Sequence, residues 1–437
     1  MRILTIVSDL RPGGTQRVAR NFAIGYRLAG VESALFAYRG GGALEGSLRE
    51  GNVDVIIGAV GDVAQRDAFR AALAWKPDVI HIHREGPRDS RTGAMLRAAR
   101  SSTRAGTSRR IGVLETNVFG RVDYSPDRHC IDVHLLLSKW CLWKWQQWGQ
   151  SLRPAPFGVV LPNLVMHADF SPVSAAMRTE ARRQYGIPEN ALLFGRIGSP
   201  NSSKWSAIIL KAFSEYGRGN SAAWLLLVGV PDDVRSAVQA LPMSLRRRVV
   251  LIDFLNGDDA LRRAYTSMDV FLHASRIGES FGMVLAESLS CGTPIITLST
   301  PAKDNSQLEI VGHEHGGLVV ASLAGFVEAM GRLEDLALRQ RYAVQGAARI
   351  AEAFGPATLV PRALEIAHLA AAGLSRLELA RRVLAMPAIC AEVSVEEIRS
   401  LMQNCIGQYP AGTPALLRLV SNPLVYRTYR ALTRRTA

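Results

Sequence analysis

Cysteine is scarce in this chain and long apolar runs are missing, and each shortage removes a class of protein. The five cysteines, at 130, 141, 291, 390 and 405, are odd in number and follow no metal-ligand spacing. Neither a disulfide framework nor a metal site can be read from them, and a reducing compartment is expected. No apolar stretch is long enough to span a bilayer, and the short run after Met1 ends at Asp9 without a signal-peptide cleavage pattern. The expectation is a cytoplasmic protein. Acidic residues are also in deficit, with 38 Asp and Glu against 52 Lys and Arg, a net charge of +14. Such a balance asks for an acidic partner: a nucleotide, an anionic membrane surface or a nucleic acid. No nucleic-acid-binding motif accompanies the charge, so nucleic acid is not expected.

What the chain does have is length and alternation. Its 437 residues exceed one ordinary core, and 48% hydrophobic content can fill two. Apolar runs at 2–7, 33–38, 53–57, 77–83 and 111–115 alternate with helical patterns, and the alternation resumes at 192–197, 224–228, 249–252, 270–273 and 294–298. Continuous apolar strands separated by helices predict an α/β protein with parallel sheets covered on both faces.

The stretch RIGESFGMVLAESLSCGTPIIT, residues 276–297, organises the second half. Met283, Leu285, Ala286 and Leu289 recur at helical spacing from Phe281 to Ser290, and Gly292 with Pro294 stops the helix. Glu279 lies ahead of that helix, and Glu287 about two turns further along it. Free backbone N–H groups near Phe281, Gly282 and Met283 suit a phosphate. An anion at the helix start beside two hydroxyl-binding carboxylates describes a nucleotide sugar.

Glu279-x7-Glu287, with FG inside it and CGTP after it, resembles the donor motif of retaining GT-B glycosyltransferases of the family 4 type. The resemblance runs from about Arg2 to Ala370 and is strongest in the second half. It implies two Rossmann-like parallel-sheet domains facing a central cleft: an acceptor-side domain at 1–162, a nucleotide-sugar donor domain at 163–370, and a helical basic extension at 371–437. By the same resemblance Glu279 contacts the donor sugar, Phe281, Gly282 and Met283 hold the diphosphate through their backbone, and Glu287 binds the ribose. GRIGSPNSSKW is similar to the family's Gly-Arg followed by Lys-Gly, and places Arg196 and Lys204 on the leaving diphosphate. Two cations over one loop are what a developing negative charge needs. Trp205 stands where relatives have a small residue, and Gly198, Ser199 and Ser202 are lesser candidates.

In the first half, Gly13-Gly14 follows the first strand, where glycines let backbone approach a ligand or simply make a tight turn. The resemblance favours the donor phosphate. His81 and His83 end a strand and read as hydrogen-bonded structural histidines rather than catalytic ones. Asn117, where many relatives carry a histidine, is retained only as a substrate contact. Arg84 to Arg110 is almost single-signed, with Arg91, Arg97, Arg100, Arg104, Arg109 and Arg110, and is expected to meet acceptor or membrane. Trp140, Trp143, Trp145 and Trp148 spread over about half a helix circumference, too wide for one buried stripe, so some should be exposed. Glu309 reads as structural, and Arg427, Arg430 and Arg434 as one helical face.

The resulting expectation is a metal-independent retaining glycosyltransferase of cell-surface glycan biosynthesis, needing no cofactor beyond its donor substrate. Its acceptor would be a saccharide or lipid-linked saccharide, met in peripheral contact with the anionic inner face of the plasma membrane. Two rivals stay open: a noncatalytic nucleotide-sugar-binding subunit and a sugar-nucleotide epimerase of similar architecture.

Overall fold

The computed structural model describes residues 1–58, 61–86, 90–102, 110–255 and 257–433. They form two compact units. The first comprises Met1–Leu164, Pro356–Val395 and Leu419–Ala437, and the second Val165–Gly355 and Glu396–Arg418.

The first unit holds a parallel sheet of β1 (Arg2–Val7), β2 (Glu32–Ala37), β3 (Asp54–Ile57), β4 (Val79–Arg84), β5 (Gly112–Asn117), β6 (Val133–Leu136) and β7 (Gly158–Val160), in the order β3-β2-β1-β4-β5-β6-β7. The second holds β8 (Leu192–Ile197), β9 (Ala223–Val228), β10 (Val249–Ile252), β11 (Val270–His273), β12 (Ile295–Leu298) and β13 (Gly317–Val320), in the order β10-β9-β8-β11-β12-β13, also parallel. Each is a doubly wound sheet in which the order reverses once, at β1/β4 and at β8/β11. Buried apolar strands explain the pattern: β1, RILTIV, for example, is buried at every position after the first. The expected two-sheet GT-B architecture is present.

The expected domain limits differ from the observed units. Helix Pro356–Ala371 lies with the first unit, not the second, because its small residues fit the sheet closely: a Cβ on Gly112 would meet the Ala370 carbonyl carbon at 2.8 Å. Residues 371–437 are no separate extension. Helix Arg376–Leu384 belongs to the first unit, Ile406 bridges the β13 edge of the second, and Tyr426 returns to the first, stacked on Trp148 at 4.0 Å.

That return overturns the expectation of exposed tryptophans. Trp140, Trp143, Trp145 and Trp148 are all buried. Helix Lys139–Gly149 is covered on more than one side: Trp145 packs near His134 of β6 at 5.1 Å, while Trp148 takes Tyr426 on its face and gives its indole N–H to the Val420 carbonyl at 3.0 Å. A wide aromatic arc is core when two layers enclose it.

The arginine run is likewise answered by acids from elsewhere in the chain. Arg84 is buried and paired with Glu115 and, at 3.1 Å, with Asp123. Arg97 pairs with Asp127, and Arg100 and Arg110 with Asp132 at 2.9 and 3.1 Å. Arg104, Arg109 and Arg434 lie outside the described residues. His81 behaves as expected, bonded to the Tyr26 hydroxyl at 2.9 Å and the Thr116 hydroxyl at 2.8 Å, and burial holds its pKa down at about 3. His83 does not: both its ring nitrogens are buried without a hydrogen-bond partner among the described residues, and its ring centroid lies 4.4 Å from that of His81. Burial, then the neighbouring His81, keeps it neutral.

Candidate active site

The second unit gathers most of the predicted residues around the β8/β11 switch point. Ligands of open α/β sheets sit outside the carboxyl ends of the strands where the order reverses. Arg196 is the penultimate residue of β8 and His273 the last of β11. The loop after β11 carries Glu279 to the start of helix Met283–Ser290, and the turn after β8 carries Lys204. The helix begins two residues later than the sequence predicts.

Local backbone explains the loop. Gly278 and Gly282 have φ of 71° and 95°, a region costly for residues with a Cβ. A Cβ on Gly278 would also fall 1.7 Å from the Asp304 carbonyl oxygen, and one on Gly282 2.8 Å from Leu285 Cδ1. Glycine at both positions lets the chain turn sharply enough to put Glu279 beside the helix N-terminus.

Glu279 is 8% exposed, and its carboxylate is held from two sides. Lys204 Nζ donates to Oε2 at 2.9 Å, and His273 Nε2 lies 3.4 Å from Oε1. Burial would raise this carboxyl, but the His273 hydrogen bond and the Lys204 charge outweigh it and hold the pKa at about 2. Burial, then the charge of Arg196, pushes His273 down to about 4. At neutral pH the pair is therefore carboxylate and neutral imidazole. A carboxylate only accepts, so Nε2 carries the proton and Nδ1 accepts from the Thr297 hydroxyl at 2.9 Å. His273 and Thr297 were missed in sequence because a polar residue ending a buried strand resembles any other strand end. Gln307 was missed too: its Oε1 accepts the Glu279 backbone N–H at 3.3 Å.

Arg196 is 1% exposed. Nη2 donates to the Lys204 carbonyl at 2.8 Å and the guanidinium carbon lies 5.4 Å from the Trp205 ring centroid, but Nε and Nη1 are buried with no hydrogen-bond partner among the described residues. Burial pulls its pKa down to about 10, against the opposing pull of Glu279. A cation this desolvated, with two of its nitrogens unused, suits an anion. Trp205, which departs from the resemblance, supports Arg196: its indole N–H donates to the Ser199 carbonyl at 2.9 Å and fixes the ring beneath the cation. Ser202 spends its hydroxyl on Asp233 at 2.8 Å.

Glu287 sits in the second turn of its helix, buried, and accepts from the Tyr265 hydroxyl at 3.0 Å. Phe281 is core, edge-on to Phe354 at 5.4 Å, so only its backbone is available to a ligand. Met283 is the first helical residue.

Three predicted positions, Gly13, Gly14 and Asn117, lie in the first unit. Gly13 caps helix Gly14–Leu28 in extended conformation, and a Cβ there would meet Gln16 Oε1 at 2.4 Å. Asn117 is 1% exposed and spends its amide on its own loop, giving Nδ2–H to the Arg121 carbonyl at 2.8 Å and accepting the Arg121 N–H at 3.0 Å. Among the described residues, no three His, Cys, Asp or Glu side chains cluster as metal ligands.

Residues 188–335 match the family described as Glycosyl transferases group 1. The chain is 28% identical over 231 residues to a D-inositol 3-phosphate glycosyltransferase of Thermomonospora curvata, covering 49% of this chain and 51% of that one. It is 28% identical over 198 residues to a phosphatidyl-myo-inositol mannosyltransferase of Mycobacterium tuberculosis, covering 44% and 49%. It thus spans about half the length of these curated relatives, and 34% of an archaeal one. Among solved structures it is similar to Anabaena HepE in complex with UDP-glucose, with a TM-score of 0.63, 17% identity, and coverage of 84% of this chain and 98% of that one. At that identity the likeness establishes the fold.

Proposed function

The chain carries a Glycosyl transferases group 1 domain on a GT-B fold, and from that premise we propose that it transfers a sugar from a nucleotide-sugar donor to an acceptor with retention of configuration. The observation that carries the reading is Arg196, a buried guanidinium with two nitrogens unpartnered among the described residues, beside the Lys204–Glu279 pair at the strand-order switch. In this reading Arg196 and the N–H groups opening helix Met283–Ser290 receive the donor diphosphate. Glu279, oriented by His273, accepts from hydroxyls of the sugar, and Glu287 from those of the ribose.

As the anomeric C–O bond to the diphosphate breaks, negative charge grows on the leaving oxygen, where Arg196 and Lys204 stabilise it. The acceptor oxygen bonds to the anomeric carbon on the same face, and its proton passes to the departing phosphate. No protein nucleophile is required, and the two cations supply the charge stabilisation a metal would otherwise give.

The relatives named for inositol phosphate and phosphatidyl-inositol substrates favour a saccharide or lipid-linked acceptor. With a charge of +14, peripheral contact with an anionic membrane at the cytoplasmic face, in the building of cell-surface glycans, completes the reading. No described helix is long and apolar enough to cross a membrane. The tryptophans of helix Lys139–Gly149, being buried, take no part in such a contact.

The test is a thermal-shift screen of UDP- and GDP-sugars, followed by transfer assays and NMR of the product's anomeric centre. Retained configuration with activity unaffected by EDTA supports the reading. Inversion, or activity that vanishes with EDTA and returns with a divalent ion, contradicts it, and donor binding without turnover makes the chain a binding subunit. Co-sedimentation with anionic vesicles should fall as salt rises, and none at low salt removes the membrane contact.

A further inference from the structure

Tyr409 lies far along the chain from the candidate site, in a segment whose sequence pointed to nothing. In the fold it belongs to the second unit. Ile406 runs beside β13, taking an N–H bond from Ala321 at 2.9 Å and giving its own to Val319 at 2.8 Å. The turn after it delivers the Tyr409 hydroxyl to Ser299 Oγ at 2.8 Å, just past the carboxyl end of β12.

From Ser299 a continuous set of buried hydrogen bonds leads to Glu279. Asn305 Nδ2 donates to Ser299 Oγ at 3.1 Å. Asn305 Oδ1 accepts the Thr300 N–H at 2.7 Å and Gln307 Nε2 at 3.0 Å. The two hydrogens of Gln307 Nε2 are shared among Asn305 Oδ1, the Leu298 carbonyl at 3.0 Å and the Thr300 hydroxyl at 2.8 Å, which fixes its amide so that Oε1 receives the Glu279 N–H. The Ser306 N–H donates to the Glu279 carbonyl at 2.9 Å, closing the clasp on that residue's backbone. Asn305, Ser306 and Gln307 are fully buried. In such a network each partner's orientation depends on the next, and a missing donor is felt along it.

Resting on the proposed reading of Glu279, we propose that Tyr409 is a positioning residue: through Ser299, Asn305 and Gln307 it sets the backbone at Glu279 and so the aim of its carboxylate. Residues 396–418 then act as a brace for the catalytic loop as well as a cover for the sheet edge. Displacements well below the size of an atom matter here, because turnover falls steeply when a contact made at the reacting centre is misaimed.

The experiment compares wild type, Tyr409→Phe, Ser299→Ala and the double variant. Hydrogen exchange at the 276–283 backbone amides reads the coupling whatever the reaction, and UDP-glucose turnover reads the consequence. Tyr409→Phe should speed exchange in 276–283 several-fold with the rest of the unit unchanged, and lower kcat about tenfold with KM within about twofold. The double variant should be no slower than the worse single one, because both cut one path. Unchanged exchange at 276–283 in Tyr409→Phe overturns the proposal, as does multiplicative loss in the double variant. Faster exchange while wild type turns over no nucleotide sugar leaves the brace standing and removes the glycosyltransfer reading.

Discussion

Replacing Arg196 by methionine separates what this residue does for folding from what it does for a ligand. Burial takes the guanidinium from its ordinary value down to about 10, which at about 1.36 kcal/mol per pH unit is a penalty of roughly 3 kcal/mol on the charged form. Methionine removes that penalty and keeps most of the volume over Trp205. Against this stand the lost hydrogen bond to the Lys204 carbonyl, about 1–3 kcal/mol, and the cation–π contact, about 1 kcal/mol. The two sides nearly cancel, so the unliganded variant should denature in urea within about 1 kcal/mol of wild type. A buried arginine with a full set of partners would instead cost about 3–5 kcal/mol. With UDP at a hundred times its Kd, wild type should gain about 2.7 kcal/mol. If Arg196 supplies a charge-assisted bond of about 2 kcal/mol, the variant at the same UDP concentration should gain only about 1 kcal/mol. A destabilisation above about 3 kcal/mol without ligand, or an undiminished gain with UDP, would refute the anion-receiving role.

Three further outcomes are expected, two at this site and one from buried histidines in both units. Arg196→Ala and Lys204→Ala should each lower turnover by about a hundredfold or more, as when a charge stabiliser leaves a desolvated site; steady-state kinetics within tenfold of wild type would contradict both assignments. Glu287→Ala should weaken donor binding in calorimetry, whereas Glu279→Ala should mainly reduce kcat, since the sugar contact tightens only as the bond breaks. The folded-state pKa values of His273 and His81 lie at about 4 and 3, below the unfolded value near 6.5, with His83 shifted the same way. The unfolded chain therefore takes up protons first on acidification, and urea midpoints should be level above about pH 7 and fall between about pH 6.5 and 4; a flat profile there would mean these rings are not buried neutral.

The legible parts of this chain were those whose signal is local. Strands of the second sheet appear as apolar runs because parallel strands are buried on both faces, and Glu279, Arg196 and Lys204 stand at turns the glycines announce. His273, Thr297 and Gln307 were illegible because their role lies in hydrogen bonds between different loops. The tryptophans were misread for a related reason: a helical wheel reports angles, not how many layers enclose the helix, and Val420, which receives the Trp148 N–H, is 272 residues away. Asn117 shows the opposite limit, since its identity was noted but the loop that occupies its amide was not foreseen.

The path of the chain bears on how the protein is made. The first unit contains Met1–Leu164, made before the whole of the second unit, and also helix Pro356–Ala371 and the segment from Leu419. Residues 165–355, by contrast, are contiguous and meet only one later segment of their own unit. During synthesis the tryptophans of helix Lys139–Gly149 must therefore wait for Tyr426 before Trp148 is covered. Contacts of such separation form slowly, and exposed apolar surface is what chaperones hold and neighbouring chains misuse. A nascent chain halted at Gly355 would carry a nearly finished second sheet behind an N-terminal half with an open aromatic face. Fragments cut at a single point should inherit the same defect, so separate production of the first unit calls for rejoining its three pieces rather than choosing one boundary.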